Sequence, residues 1–194
     1  MKKLLCLLLA VTMLLGSMLV LSACDEKDKK KDKDDTEETE AVIRDLPKVP
    51  NGYTQYENEY VAFVYPTGWS KTEISGGLGV SLLEQSTGNS VSVAAEPKSD
   101  IYKNMDEDSF NQLLKPALEA QGLSISGAKV SQVKNAQNFD ITKISYTVKA
   151  SGVTLTQVIL VIPSGEYNYA IYVTETKPVE GLLDTVFDSI VAKK

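Results

Sequence analysis

Lys143-Ile144-Ser145-Tyr146-Thr147-Val148-Lys149 alternates polar and apolar side chains without a break. Successive side chains of a strand point to opposite faces, so this stretch predicts a strand with Ile144, Tyr146 and Val148 on one face. The strand extends back to Phe139. Phe139 and Ile141 fall out of phase with the Ile144 set, which predicts a bulge near Thr142. Downstream, Ala150-Ser151-Gly152 turns the chain into Val153–Ile162, and Ser164-Gly165-Glu166 turns it into Tyr167–Glu175. Short glycine-containing links join antiparallel strands into hairpins. Upstream, Lys129–Lys134 adds a short strand.

The earlier part of the chain has the same character. Tyr60–Tyr65 is an apolar strand that ends at Pro66-Thr67-Gly68, a turn signal, and Val80–Glu84 is a second. Thr87-Gly88-Asn89 turns into Ser90–Glu96, where Val91, Val93 and Ala95 alternate with Ser90, Ser92 and Glu96. This alternation predicts a strand with one face in water. A helix is predicted over Asp106–Gln121, with Phe110, Leu113, Leu114, Ala117 and Leu118 as its apolar stripe and Gly122 as its C-terminal cap. Pro116 lies inside it, so this helix should be kinked or split. Pro178, at a first helical position, opens a closing helix that buries Leu182, Leu183, Val186, Phe187, Ile190 and Val191. Three strands, a helix, four strands and a helix, with hairpin links, give the α+β class: an antiparallel sheet covered by helices.

Phe63-Val64-Tyr65-Pro66-Thr67-Gly68-Trp69 resembles the strand-then-"YP-x-x-W" opening of the PsbP/Mog1-like fold, and Phe187-Asp188-Ser189-Ile190 resembles that family's final helix. The element order matches over residues 54–192. The resemblance implies a three-layer α/β/α sandwich around a largely antiparallel sheet of about seven strands. It implies no activity, because members of the family serve mostly as binding or assembly modules and share no catalytic residues.

The first fifty residues carry a different message. Met1-Lys2-Lys3 precedes an apolar run from Leu4 to Ala23 that is interrupted only by Thr12, Ser17 and Ser22. A basic start, a leucine-rich run and small residues are the layout of a secretory signal peptide, although the run is also long enough to cross a membrane. Leu21-Ser22-Ala23-Cys24 resembles the bacterial lipobox, which implies cleavage between Ala23 and Cys24 and acylation of the Cys24 thiol by membrane lipid. Two or more acyl chains anchor stably where one does not. Cys6 lies in the segment to be discarded, so the mature chain has no disulfide and must fold on its core alone. Asp25–Glu40 is built from acids, lysines and threonines, too polar to bury a core, and predicts a disordered tether closed by Pro47 and Pro50. The expected organisation is a signal peptide over 1–23, a lipidated cysteine and tether over 24–50, and one α+β domain over 51–194. The expected location is the extracytoplasmic face of a cell membrane. Asp25 resembles an inner-membrane retention signal of two-membrane bacteria.

Residues 51–194 hold 16 acidic residues against 11 lysines, a net of −5, with no arginine and no histidine. Nucleic-acid binding needs a basic patch, so this partner is excluded. The absence of histidine removes the commonest general base and metal ligand. With Cys24 committed to lipid, thiolate catalysis and thiolate zinc sites go too. No cofactor, metal site or catalytic residue is expected. Asp106-Glu107-Asp108 has the composition of a cation site but also of a helix start, where carboxylates cap free N–H groups. Glu180, Asp184 and Asp188 recur every four residues, as a calcium or partner-lysine site would; the solvated face of the last helix needs the same pattern. Ser75-Gly76-Gly77-Leu78-Gly79 lacks the lysine and the following helix of a phosphate loop and reads as a hairpin loop. Tyr167, Tyr169 and Tyr172 suit a half-buried sheet, and Trp69 suits packing after the first strand. A non-catalytic binding or assembly module of the cell envelope is the expected function, its partner an envelope protein or small ligand. A small-ligand receptor and a cell-wall-active hydrolase are the alternatives.

Overall fold

The computed structural model describes residues 45–74, 78–150 and 152–194. They form ten strands and two helical stretches in the order β1 (Tyr53–Glu57), β2 (Val61–Pro66), β3 (Ser70–Ile74), β4 (Gly79–Leu83), β5 (Ser90–Pro97), α1 (107–119), β6 (Ser124–Lys134), β7 (Asp140–Ala150), β8 (Val153–Ser164), β9 (Tyr167–Glu175), α2 (Leu182–Ser189) and β10 (Val191–Ala192). The chain is predominantly antiparallel β with few helices, an α+β arrangement. Seven strands make a large sheet in the order β3-β4-β5-β9-β8-β7-β6, and β1-β2-β10 make a small one. Among the described residues every pairing is antiparallel. The expected number of strands in the main sheet is met, but with a different membership: the apolar strand ending at Pro66 belongs to the small sheet, and the polar strand β3 takes the edge of the large one.

Two cores form, one on each face of the large sheet. The first joins Phe63, Tyr65, Leu182, Val186 and Ile190 to Val91, Val93, Leu160 and Ile171, so the small sheet and α2 cover that face. The second joins Phe110 and Leu118 of α1 to Ile144, Tyr146, Val148 and Ile159 on the opposite face. This resolves the phase of β7. Ile141 enters the first core and Ile144 the second, so the strand changes buried face without an extra residue, and its pairing with β8 is regular from Thr142 to Ala150. The bulge expected near Thr142 lies instead on β6, between Ser126 and Lys129, where Gly127 takes φ +66°. That φ falls in the left-handed region, which glycine enters without steric cost.

Pro116 splits α1 in a specific way. An α-helical turn, Glu107–Ser109, runs into a π turn, Phe110–Leu114, and returns to α geometry over Lys115–Glu119. The Lys115 N–H bonds the Phe110 carbonyl, one residue further back than in an α-helix. Proline has no N–H and its ring crowds the carbonyl four residues earlier, so the turn before it widens. The widening moves the buried stripe to Phe110, Leu114 and Leu118 and turns Leu113 outward, 51 % exposed, against the expected stripe that included it. The closing helix also differs from expectation. It begins at Leu182 rather than Pro178, because Gly181 takes φ +72° and the Leu182 N–H closes a turn on the Val179 carbonyl. Ile190 and Val191 are buried as expected, in extended chain leading into β10.

Candidate functional site

Strand alternation decides which side chains share a face. On β5, Val91 and Val93 enter the first core, so Ser90, Ser92, Ala94 and Glu96 point to the other face. On β4 the same argument sends Ser81 there, and on β9 it sends Ala170, Tyr172 and Thr174. The register then sets these residues side by side: Ser81 opposite Ser92, Ser92 opposite Tyr172, Ser90 opposite Thr174 and Glu96 opposite Asn168. The Ser81 and Ser92 hydroxyls lie 3.4 Å apart. A buried polar relay continues across the sheet. The Tyr146 hydroxyl donates to Gln157 Oε1 at 2.7 Å, and Gln157 Nε2 donates to Thr174 Oγ1 at 3.1 Å. Gln157 is fully buried. Ser90, beside the end of this relay and 3 % exposed, has a buried hydroxyl oxygen with no hydrogen-bond partner among the described residues.

At the other end of β5 the chain is drawn across the same face. The Tyr102 carbonyl accepts from Gln132 Nε2 at 3.0 Å and from Thr142 Oγ1 at 2.9 Å, and Asn168 Nδ2 donates to the Ser99 carbonyl at 3.0 Å. These bonds hold the Tyr102 side chain, buried, beside Glu96. Burial pushes the Glu96 carboxyl above its ordinary range, and the Tyr102 hydroxyl offsets part of that rise. Glu96 Oε1 is buried and makes no hydrogen bond among the described residues. Tyr102 and Tyr172 are driven far upward, by burial first and by the Glu96 charge second, so both stay protonated. A buried polar atom without a partner costs the full desolvation of that atom. Two such atoms, Ser90 Oγ and Glu96 Oε1, lie on this covered face.

The sequence presented Ser90, Ser92 and Glu96 as a water-facing set. The structure corrects that: Ser90 and Ser92 are buried, because the large sheet is covered on both faces. The serines mimic a wet face, and alternation alone does not reveal a second cover. Gln157, fully buried between Tyr146 and Thr174, carried no signal in an apolar strand.

The other candidates fall as follows. Ala23 and Cys24 lie outside the described residues, as do Ser75, Gly76 and Gly77 of the glycine-rich loop, whose flanks pair as a β3–β4 hairpin. Asp106 is a helix N-cap, accepting from the Ser109 N–H at 2.8 Å, and that bond holds its carboxyl below the ordinary range. Glu180 precedes α2, so the acidic column is not one helix face, and Asp188 Oδ1 accepts from the Ala136 N–H at 3.2 Å. Among the described residues no group of three His, Cys, Asp or Glu side chains is placed to hold a metal ion. Trp69 packs against the first core, as do Tyr167 and Tyr169, while Tyr172 lies in the second. Among the described residues no helix is long and apolar enough to cross a membrane.

No protein-family profile and no curated protein matches the chain. The solved structures that match the chain include the following two. One, a crystal structure from Bacteroides thetaiotaomicron VPI-5482, is 12 % identical with a TM-score of 0.46, and the match covers 69 % of this chain and 45 % of that one. The chain thus spans less than half the length of that structure. The other is LpqN of Mycobacterium tuberculosis, described as involved in cell envelope biogenesis. It is 13 % identical with a TM-score of 0.41, and the match covers 73 % of this chain and 91 % of that one.

Proposed function

We propose that the chain is a cell-envelope lipoprotein, held on the extracytoplasmic face of a membrane through acylated Cys24, whose domain is a non-catalytic binding or assembly module. The single observation that carries the binding role is the pair of buried, unpartnered polar atoms on one sheet face, Ser90 Oγ and Glu96 Oε1. Such atoms gain by meeting a ligand's hydrogen-bonding groups. The anchor rests on the apolar run ending in Leu21-Ser22-Ala23-Cys24. The same unpartnered atoms favour a small-ligand receptor as the second reading. The domain belongs with PsbP/Mog1-like α/β/α folds in this proposal, supported by its seven-stranded antiparallel sheet with α1 on one face and α2 on the other.

Cross-linking mass spectrometry on intact cells tests the module. A specific envelope partner is the expected result, and repeated recovery of bulk neighbours alone speaks against it. The anchor has its own test. Cys24→Ala should abolish lipid labelling and release the exported chain from the membrane fraction, and a variant still wholly in the membrane would refute the lipid anchor.

A further inference from the structure

We propose that Asn51 is a site of spontaneous covalent modification: it cyclises onto the Gly52 amide with loss of ammonia and reopens to aspartyl and isoaspartyl forms. This stands apart from the binding reading above and does not depend on it.

Asn51-Gly52 is the only place in the chain where glycine follows asparagine. The reaction needs the backbone nitrogen of the next residue to reach the asparagine Cγ. Glycine, without a Cβ, leaves that approach open and the backbone free to rotate. Both residues are exposed, at the tip of the turn that leads into β1. Gly52 takes φ +80°, and no heavy atom lies within 4 Å of where its Cβ would stand. Among the described residues neither the Asn51 side chain nor the Gly52 N–H makes a hydrogen bond. The turn is closed by the Tyr53 N–H on the Pro50 carbonyl at 3.2 Å, the long end of the range for such bonds. The carbon to be attacked and the attacking nitrogen are thus both free, and one long bond resists the rotation that joins them.

The other asparagines are held. The side chains of Asn58, Asn89, Asn135 and Asn168 are tied to backbone groups. The amide after Asn104 donates to the Tyr102 carbonyl, and the amide after Asn138 donates to Asn135 Oδ1. Asn111 sits inside α1, where the next nitrogen is fixed by the helix.

Hydroxide and water are the only co-reactants. Hydroxide takes the Gly52 amide proton, and the nitrogen forms a bond to Asn51 Cγ. The Cγ–Nδ2 bond then breaks, and the departing nitrogen takes a proton from water and leaves as ammonia. A five-membered imide remains, with nothing oxidised or reduced. Water opens it on either side. Breaking the new bond to Cγ gives an aspartyl residue in the ordinary main chain. Breaking the original peptide bond leaves the main chain running through Cβ and Cγ, one atom longer. The added charge and the added atom fall where the chain enters the domain, beside the Gly52 carbonyl that accepts from the Thr67 N–H at 2.9 Å.

The test ages the full-length chain, held in detergent, in mildly alkaline buffer over several weeks. Trypsin cuts after Lys48 and Lys71, so the peptide Val49–Lys71 reports Asn51 and Asn58 together. A sample digested at once sets the amount formed during handling. The expected result is steady replacement of this peptide by two products of equal mass, each carrying a carboxyl in place of an amide. Fragmentation should place the change at Asn51, at a rate about tenfold or more above that at Asn58. Asn51→Gln, whose attack would close a six-membered ring, should leave the peptide intact. Gly52→Ala, which puts a methyl group beside the nitrogen, should slow conversion about tenfold. Conversion at Asn51 no faster than at Asn58 would overturn the proposal, and so would a Gly52→Ala variant that converts as fast as the parent. An Asn51 that stays intact in the folded chain while it converts in the chain unfolded by urea would overturn it too, because the turn would then protect the residue.

Discussion

Asn135 Nδ2 donates to the Ile190 carbonyl at 2.8 Å, across 55 positions of sequence. The same amide reaches the Phe187 carbonyl at 3.0 Å, while Asn135 Oδ1 accepts from the Gln137 and Phe139 N–H groups. One side chain thus closes the β6–β7 turn and caps the carbonyl end of α2. Helix ends leave carbonyls short of intrahelical partners, and here a distant asparagine bonds the Ile190 carbonyl and adds a second donor to the Phe187 carbonyl, which also accepts from the Ile190 N–H. The Asn135→Ala variant should lose about 2–3 kcal/mol of folding stability, since buried groups on both sides are left unpaired. Chemical denaturation measures this. A loss below about 0.5 kcal/mol, the range of ordinary surface changes, would show that α2 does not depend on the clamp.

Ser189 makes the corresponding link to β2. Its hydroxyl accepts from the Val64 N–H at 2.9 Å and donates to the Val186 carbonyl at 2.8 Å. Ser189→Ala strands a buried backbone donor, which should cost about 1–3 kcal/mol. Hydrogen exchange gives the sharper readout. Exchange at the Val64 amide should accelerate more than at its neighbours in β2, and uniform acceleration along the strand would mean global destabilisation instead.

The π turn in α1 predicts an asymmetry between two residues that sequence periodicity places on one stripe. Phe110 is fully buried and packs against Tyr146 with the rings tilted and their centroids 5.3 Å apart. Phe110→Ala should therefore cost about 3–5 kcal/mol. Leu113, turned outward by the wide turn, should tolerate Leu113→Lys within about 0.5 kcal/mol. A large loss for the lysine variant in thermal denaturation would place Leu113 back in the core and argue for an unbroken α-helix.

These residues also show which parts of the fold are legible in the sequence. The hairpins β7–β8 and β8–β9 are, because two-residue turns and regular alternation are local signals. Strand β3, Ser-Lys-Thr-Glu-Ile, and the two-residue β10 are not. The first carries little apolar pattern and the second is too short to show one, and they are strands because β4 and β2 pair with them. Pro116 announced a break in α1 but not its form, which depends on how the chain relieves the ring. The candidate site was the least legible part. A serine on a strand gives the same pattern whether water or another layer lies over it, so Ser90 and Glu96 become visible only once both faces of the sheet are covered.

Glu96 yields a prediction about acidity that needs no ligand. Burial raises its carboxyl above the 4.5 of a free glutamate, with the Tyr102 hydroxyl pulling partly the other way. A group raised in the folded state binds more protons there than in the unfolded chain. Its contribution to stability is then fully present below pH 4.5 and is lost as pH climbs through the higher folded value. Tyr102 and Tyr172 do not titrate in this window, because both are held protonated far above it. Glu96→Gln removes the ionisation and keeps the shape. The variant should melt at a higher temperature than the parent at pH 7, and that advantage should shrink as the pH is lowered toward 4.5. A difference in melting temperature that stays constant from pH 4 to pH 7 would show that Glu96 is no more costly to ionise in the fold than in water.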